Sequence, residues 1–193
     1  MRVSILPHFS LENGFSMKSD RELIELANNG DSDAFEALYY RYRDWVYCLA
    51  CRFTNNRQDV LDVVQETFTC LLGKFPGFEL TASMTTFLYP VVKRFSCAMR
   101  NKSRRFTSEK EIPDILVAST SKETTRSRPE LAAVLAGLSD EQREVMLMRF
   151  VDDMNLKEIA EALNIPISTA KSRLYRALRT LRNNSRTKGY FLE

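Results

Sequence analysis

The chain has little that bends or crosslinks a backbone. Six glycines and six prolines in 193 residues leave few tight turns, which favours long helices over strands joined by hairpins. One histidine, His8, and four cysteines do not make a metal-ligating set. Cys48 and Cys51 have no second close pair, and His8 is remote in sequence. A thioredoxin-like site needs a strand before its C-x-x-C, whereas this one sits inside the apolar stretch YCLACRF. With Cys70 and Cys97, these cysteines read as reduced thiols packed as small hydrophobes. No apolar run approaches the length of a membrane span, and MRVSILPHFS, broken by Pro7, lacks a signal-peptide core. A cytoplasmic protein with no cofactor, no metal and no membrane insertion is expected. The net charge is only +3, so any affinity for a polyanion must come from local clusters.

One such cluster lies in residues 155–181, NLKEIAEALNIPISTAKSRLYRALRTL. Leu156, Ile159, Ala160 and Leu163 recur at helical spacing. Asn164-Ile165-Pro166 then stops the helix, since Asn tolerates a left-handed cap and Pro cannot continue an interior turn. Ser168 or Thr169 is placed to cap a second helix, with Ala170, Leu174, Ala177, Leu178 and Leu181 on its apolar stripe. Its other face carries Lys171, Ser172, Arg173, Tyr175, Arg176 and Arg179. This is the layout of a helix-turn-helix, whose second helix enters the major groove. Between Ile165 and Lys188 every ionisable residue is basic: Lys171, Arg173, Arg176, Arg179, Arg182, Arg186 and Lys188. A merely solvated face usually mixes signs to gain i,i+4 pairs.

The pattern predicts an all-α fold: a four-helix N-terminal domain and a C-terminal helix-turn-helix domain joined by a flexible linker. Residues 1–18 read as an extension, with Met17 a second candidate start. Ser19-Asp20-Arg21-Glu22 has the form of a capping box and opens a helix through Ala27. Asp31 or Ser32 caps a longer one carrying Ala34, Phe35, Leu38, Tyr42, Trp45, Val46, Leu49 and Phe53. A third runs from about Gln58 to Lys74, with Val60, Val63, Val64, Phe68, Leu71 and Leu72 inward. The loop Phe78 to Met84 leads into a fourth, which ends in a basic run near residue 105. Residues 106–128 are rich in Ser and Thr without a sustained apolar period, which marks a linker. Residues 129–188 form the second unit, with Leu131, Leu135 and Leu138 at its start and a capping box at Ser139-Asp140-Glu141-Gln142.

Taken together, these segments resemble the extracytoplasmic-function group of bacterial RNA polymerase sigma factors. The resemblance rests on DRELIELANNGDSDAFEALYYRYRDWVY, DVLDVVQETFTCLL and TTFLYPVVKRF in the first half. In the second half it rests on LSDEQREVMLMRF and EIAEALNIPISTAKSRLYRALRTLR. It implies a specificity subunit that binds core polymerase by its clamp coiled coil and flap, reads two promoter DNA elements and nucleates melting. It also implies an anti-sigma partner and a monomer when free. The other readings are a conventional helix-turn-helix regulator acting without core polymerase and, with much less support, an enzyme built on Cys48 and Cys51.

The resemblance carries residue roles. Asp62, Gln65 and Glu66, joined on one helix face by Thr69, match the polar positions that dock on the polymerase core. The loop from Phe78 and the helix after it match the part that opens the upstream melting element. Holding an extruded base needs apolar walls, hydrogen-bonding groups and cations for the freed strand. Phe78, Phe87 and Tyr89 are candidate walls, against core packing as the alternative for each and especially for Phe87. Thr81, Ser83 and Thr85 are candidate hydrogen-bonders; Lys93, Arg94, Arg100, Lys102, Arg104 and Arg105 are candidate phosphate contacts. Ser168, Thr169, Lys171, Ser172, Arg173, Tyr175 and Arg176, with Arg179 beside them, match the reader of the distal element. Arg173 alternatively pairs with a nearby carboxylate and serves the fold. Pro90 departs from the family pattern and is expected to kink the fourth helix or delay its start.

Overall fold

The computed structural model describes residues 17–54, 56–106 and 135–183, the side chains of residues 103–106 excepted. The expected extension as far as residue 16, the linker from residue 107 onward, Leu131, Arg186, Lys188 and the side chains of Arg104 and Arg105 lie outside the described residues. Among those described, seven α-helices and no strands are found.

Short polar side chains start most of these helices by satisfying first-turn N–H groups that have no partner within the helix. Ser19 and Glu22 form a reciprocal capping box at α1 (Asp20–Asn28). Asp31 accepts from Asp33 and Ala34 at α2 (Ser32–Cys51), and Asn56 accepts from Gln58 at α3 (Arg57–Leu72). Ser83 Oγ accepts from the Thr86 amide at the head of α4 (Met84–Phe106). Two more capping boxes, Ser139 with Gln142 and Asn155 with Glu158, open α5 (Asp140–Phe150) and α6 (Leu156–Ala162).

The last helix, α7 (Ile167–Asn183), starts differently. The Pro166 carbonyl accepts from Thr169 and Ala170, so Ser168 and Thr169 stand within the first turn and do not cap it. Asn164 takes φ 51°. The Ile165 amide bonds the Ala160 carbonyl and the Asn164 amide bonds that of Glu161, a Schellman closure of α6. Pro90 lies within α4 and does not delay its start, which falls at Met84.

Helices α1 to α4 pack on one another around Leu23, Leu38, Leu49, Val63, Leu71, Met84 and Leu88, all essentially without solvent exposure. Asp20 ties α1 to α2, accepting from Arg41 (2.7 Å) and from the Tyr42 hydroxyl (2.5 Å). Burial and that carboxylate push the Tyr42 phenol far above its usual range. Leu72, expected to face inward, is half exposed at the end of α3. Cys48 and Cys51 are half-buried free thiols, and burial raises both above the usual thiol range.

The second unit, α5 to α7, is not a detached module. Helix α6 packs against α4. One apolar cluster runs continuously from the first unit into Val145, Met148, Met154, Ile159, Ala170 and Leu174 of the second. A smaller cluster, Leu135, Leu138, Ala177 and Leu181, sits under the end of α7.

The turn between α3 and α4 is pinned from a distance. Asn28, the last residue of α1, accepts from the amides of Gly77 (2.7 Å) and Phe78 (2.9 Å) and donates to the Phe78 carbonyl (2.9 Å). Gly77 has φ 98°, a conformation that side-chain-bearing residues rarely adopt.

Two outcomes are expected. Asn28→Ala, which leaves those three loop groups without their partner, lowers stability by about 1–3 kcal/mol in urea unfolding, while Asn29→Ala changes it by less than about 0.5 kcal/mol. An equal effect of the two would contradict the pinning role. Cys48 and Cys51 react with iodoacetamide at mildly alkaline pH more slowly in the folded chain than in urea, because the reactive thiolate is suppressed; equal rates would contradict their packed environment.

Candidate polymerase and nucleic-acid interfaces

Three surfaces collect the residues singled out from the sequence. The first is the outer face of α3. Gln65, Glu66 and Thr69 are exposed, and Asp62 is half-buried and accepts weakly from Gln58 (3.4 Å). Leu61 and Leu72 share this exposed side of the helix, 47% and 53% accessible. The surface is therefore a polar strip with an apolar residue near each end. Neither leucine was identified from the sequence. Helical spacing places Leu72 with the core and leaves Leu61 unassigned; only their exposure marks both.

The second surface surrounds the start of α4. A half-open pocket of about 410 Å³ is lined by the loop residues Glu79, Leu80, Thr81 and Ala82, by Thr86, Phe87, Pro90, Val91 and Arg94 of α4, and by Glu161 of α6.

Of the three aromatic residues expected as walls, only Phe87 lines the cavity. Phe78 is 7% exposed and packs between Phe75 and Phe87, ring centres 5.5 and 4.9 Å away. Tyr89 is 1% exposed. Both are packed rings, not open base platforms, because the Asn28-pinned turn folds Phe78 inward and the second unit covers Tyr89. Leu80, Pro90 and Val91 supply the remaining apolar walls; none was singled out for this role. Pro90, which has no N–H to contribute to the helix, presents its ring here instead.

Among the hydroxyls, Thr81 is exposed at the cavity edge. Ser83 and Thr85 are engaged at the helix start: Ser83 Oγ lies 2.7 Å from Thr86 Oγ1 and 3.0 Å from Thr85 Oγ1. The cations differ in their surroundings. Arg94 is exposed, its guanidinium lying over the Phe95 ring at 4.8 Å and reaching Cys70 Sγ at 3.9 Å. Arg100 and Lys102 are exposed. Lys93 is paired with Glu144 of α5 at 2.5 Å, and the same carboxylate oxygen accepts from the Tyr89 hydroxyl at 2.8 Å. Burial and that carboxylate raise the Tyr89 phenol far above its ordinary range, so it remains a proton donor.

The third surface is the outer face of α7. Ser168, Lys171, Tyr175, Arg176 and Arg179 are exposed, Tyr175 by 66%. Thr169 and Ser172 are half-buried, and the Ser172 hydroxyl donates to the Thr169 carbonyl. Arg173 pairs with Glu141 of α5 at 2.8 Å, so it braces α7 against α5. No acidic side chain interrupts this helix. Among the described residues no cluster of His, Cys, Asp or Glu is arranged to hold a metal ion, and no helix is long and apolar enough to cross a membrane.

Comparison with known proteins matches two family models: Sigma-70 region 2 over residues 38–106 and Sigma-70, region 4 over residues 128–181. Together they span more than half of the chain. ECF RNA polymerase sigma factor SigW of Bacillus subtilis (strain 168) is 29% identical over 185 residues, 86% of this chain and 96% of its own length. The ECF RNA polymerase sigma-E factor of Escherichia coli (strain K12) is 25% identical over 179 residues, covering 86% and 93%. Among solved structures, CnrH in complex with the cytosolic domain of CnrY is similar in fold (TM-score 0.60, 22% identity, 85% and 95% of the two chains). So is the sigma factor RpoE in complex with the anti-sigma factor NepR from Bartonella quintana (TM-score 0.57, 20% identity, 72% and 89%). With both sigma-70 regions present in this order and full-length relatives of one kind, the chain belongs to the extracytoplasmic-function group of the sigma-70 family of RNA polymerase sigma factors.

Proposed function

We propose that this sigma factor divides its work among the three surfaces. The α3 strip, Asp62, Gln65, Glu66 and Thr69 with Leu61 and Leu72, binds the polymerase core. Its acidic and amide groups suit a basic partner helix, and its two leucines add apolar burial. The α7 face reads the distal promoter element. Ser168 at the helix start suits a phosphate, while Lys171 or Arg176 suits a guanine edge. The cavity beside α4 takes an extruded base of the melting element against Phe87, Leu80, Pro90 and Val91, with Thr81 as hydrogen-bonder. Arg94, Arg100 and Lys102 hold the freed strand's phosphates. Melting without ATP then follows from capture: the energy lost in unstacking a base is regained by its burial and by backbone neutralisation.

The observation that carries this reading is the cavity itself. Its walls are mainly apolar, Arg94 stands there beside the carboxylates of Glu79 and Glu161, and it lies on the same chain as a helix face without acidic residues. A regulator that used its helix-turn-helix alone would leave the sigma-70 region 2 match over residues 38–106 without a purpose. The complex of the sigma factor RpoE with the anti-sigma factor NepR, named above, supports an anti-sigma protein as a further partner. The absence of a membrane-crossing helix among the described residues is compatible with work in the cytoplasm.

Run-off transcription with purified core polymerase and genomic fragments is the test. Transcripts starting at discrete sites are expected only when the chain is added. Glu66→Lys abolishes core pull-down and transcripts together, because it places a cation against a basic partner. Transcripts that survive loss of core binding would contradict the assignment of α3.

Salt dependence tests the α7 face. Lys171→Gln or Arg176→Gln, if the residue contacts phosphate, lowers the slope of log K against log salt by about 0.9 on duplex promoter. A base-contacting residue instead relaxes sequence preference at one position. Variants of both residues that change neither slope nor preference would remove α7 from the interface.

A further inference from the structure

The rim of the pocket beside α4 is held only at its two ends. Four loop residues, Glu79, Leu80, Thr81 and Ala82, line it, and no hydrogen bond joins any of the four to another described residue. At the C-terminal end of this segment Ser83 ties it to α4, its Oγ accepting from the Thr86 amide at 3.3 Å. At the N-terminal end the anchor is Asn28. It accepts from the amides of Gly77 and Phe78 and donates to the Phe78 carbonyl.

A carboxamide suits this task because it carries acceptor and donor on one planar group. It fixes the peptide groups on both sides of Phe78 in position and in orientation. The anchor is itself rigid. Asn28 ends α1, whose Leu23, Ile24 and Ala27 are buried and which Asp20 joins to α2 through Arg41 and Tyr42. The place of the pocket rim relative to α4 is thus set by a helix that contributes no residue to the pocket.

Capture of an extruded base offsets its unstacking only if the walls already stand where the base will lie. A rim released at Gly77 and Phe78 would have to be ordered at the moment of capture, and that ordering subtracts from the captured state. We infer that Asn28 is a positioning residue for promoter opening: it touches no base, and it holds residues 79–82 in the arrangement that receives one. This inference rests on the reading of the pocket as the base site. Core binding through α3 and distal reading through α7 do not use the anchor.

The test uses holoenzyme reconstituted from core polymerase and the full chain, on a promoter taken from the run-off experiment above. Two templates are compared: the intact duplex, and the same promoter with its melting element and start site held open by mismatches in the template strand. Asn28→Ala is expected to lower the run-off product about tenfold on the duplex and by less than about twofold on the open template, where the base is already unstacked and an imprecise rim suffices. Asn29→Ala, at the exposed neighbour, is expected to match wild type on both. Gly77→Ala disturbs the same turn from its other partner. The added Cβ would meet nothing within 4 Å, so only the φ of 98° opposes it. It is expected to reproduce the selective defect, and it carries the test should Asn28→Ala fold poorly.

Equal losses on the two templates would overturn the inference, since general damage to the fold or to core binding spares neither. So would wild-type product from the duplex with Asn28→Ala or with Gly77→Ala. Failure of the pocket reading looks different: Leu80→Ala and Phe87→Ala would then open the duplex as wild type does, whatever Asn28→Ala shows.

Discussion

Helix α4 must satisfy three environments at once, and the rest of the structure follows from how it does so. Leu88, Val92 and Ser96 are buried in the first unit. Phe87, Pro90, Val91 and Arg94 line the cavity. Tyr89 and Lys93, one turn apart, meet in the carboxylate of Glu144. A helix with a single apolar stripe would serve one partner. This one is apolar or aromatic around much of its first half, so the groups left over from the core are presented to the second unit or to the pocket.

The second unit is held by two kinds of contact with different consequences. The apolar seam, with Ile159, Ala160 and Met154 continuous with the first unit's core, is non-directional. The polar contacts at Glu144 and Asp152 supply register, because a bidentate guanidinium–carboxylate pair and an indole N–H tolerate little displacement.

Much of the local structure was legible in the sequence. Capping residues announced helix starts at Ser19, Asp31 and Ser139, and Asn164 announced the left-handed end of α6, because these signals are carried by side chains one to four residues from the backbone they satisfy. The basic face of α7 was legible for the same reason: helical periodicity fixes which residues share a side. What was not legible depends on distance along the chain. Nothing in the spacing of Asn28 shows that it reaches the turn at Gly77, or that Arg52 meets Asp152 a hundred residues away. Tyr89 reads equally as wall or core until the second unit is placed over it. Leu72 reads as core until the end of α3 is seen to leave it uncovered. The linker composition suggests two units but carries no information on whether they touch.

The most direct measurement is the distance between the two units in solution, from paired spin labels at Glu36 on α2 and Thr180 on α7, both exposed, in a chain whose native cysteines are replaced. The account predicts a short, narrow distribution in the free chain and a longer one once core polymerase and promoter DNA are bound. The same distribution in both states would contradict it.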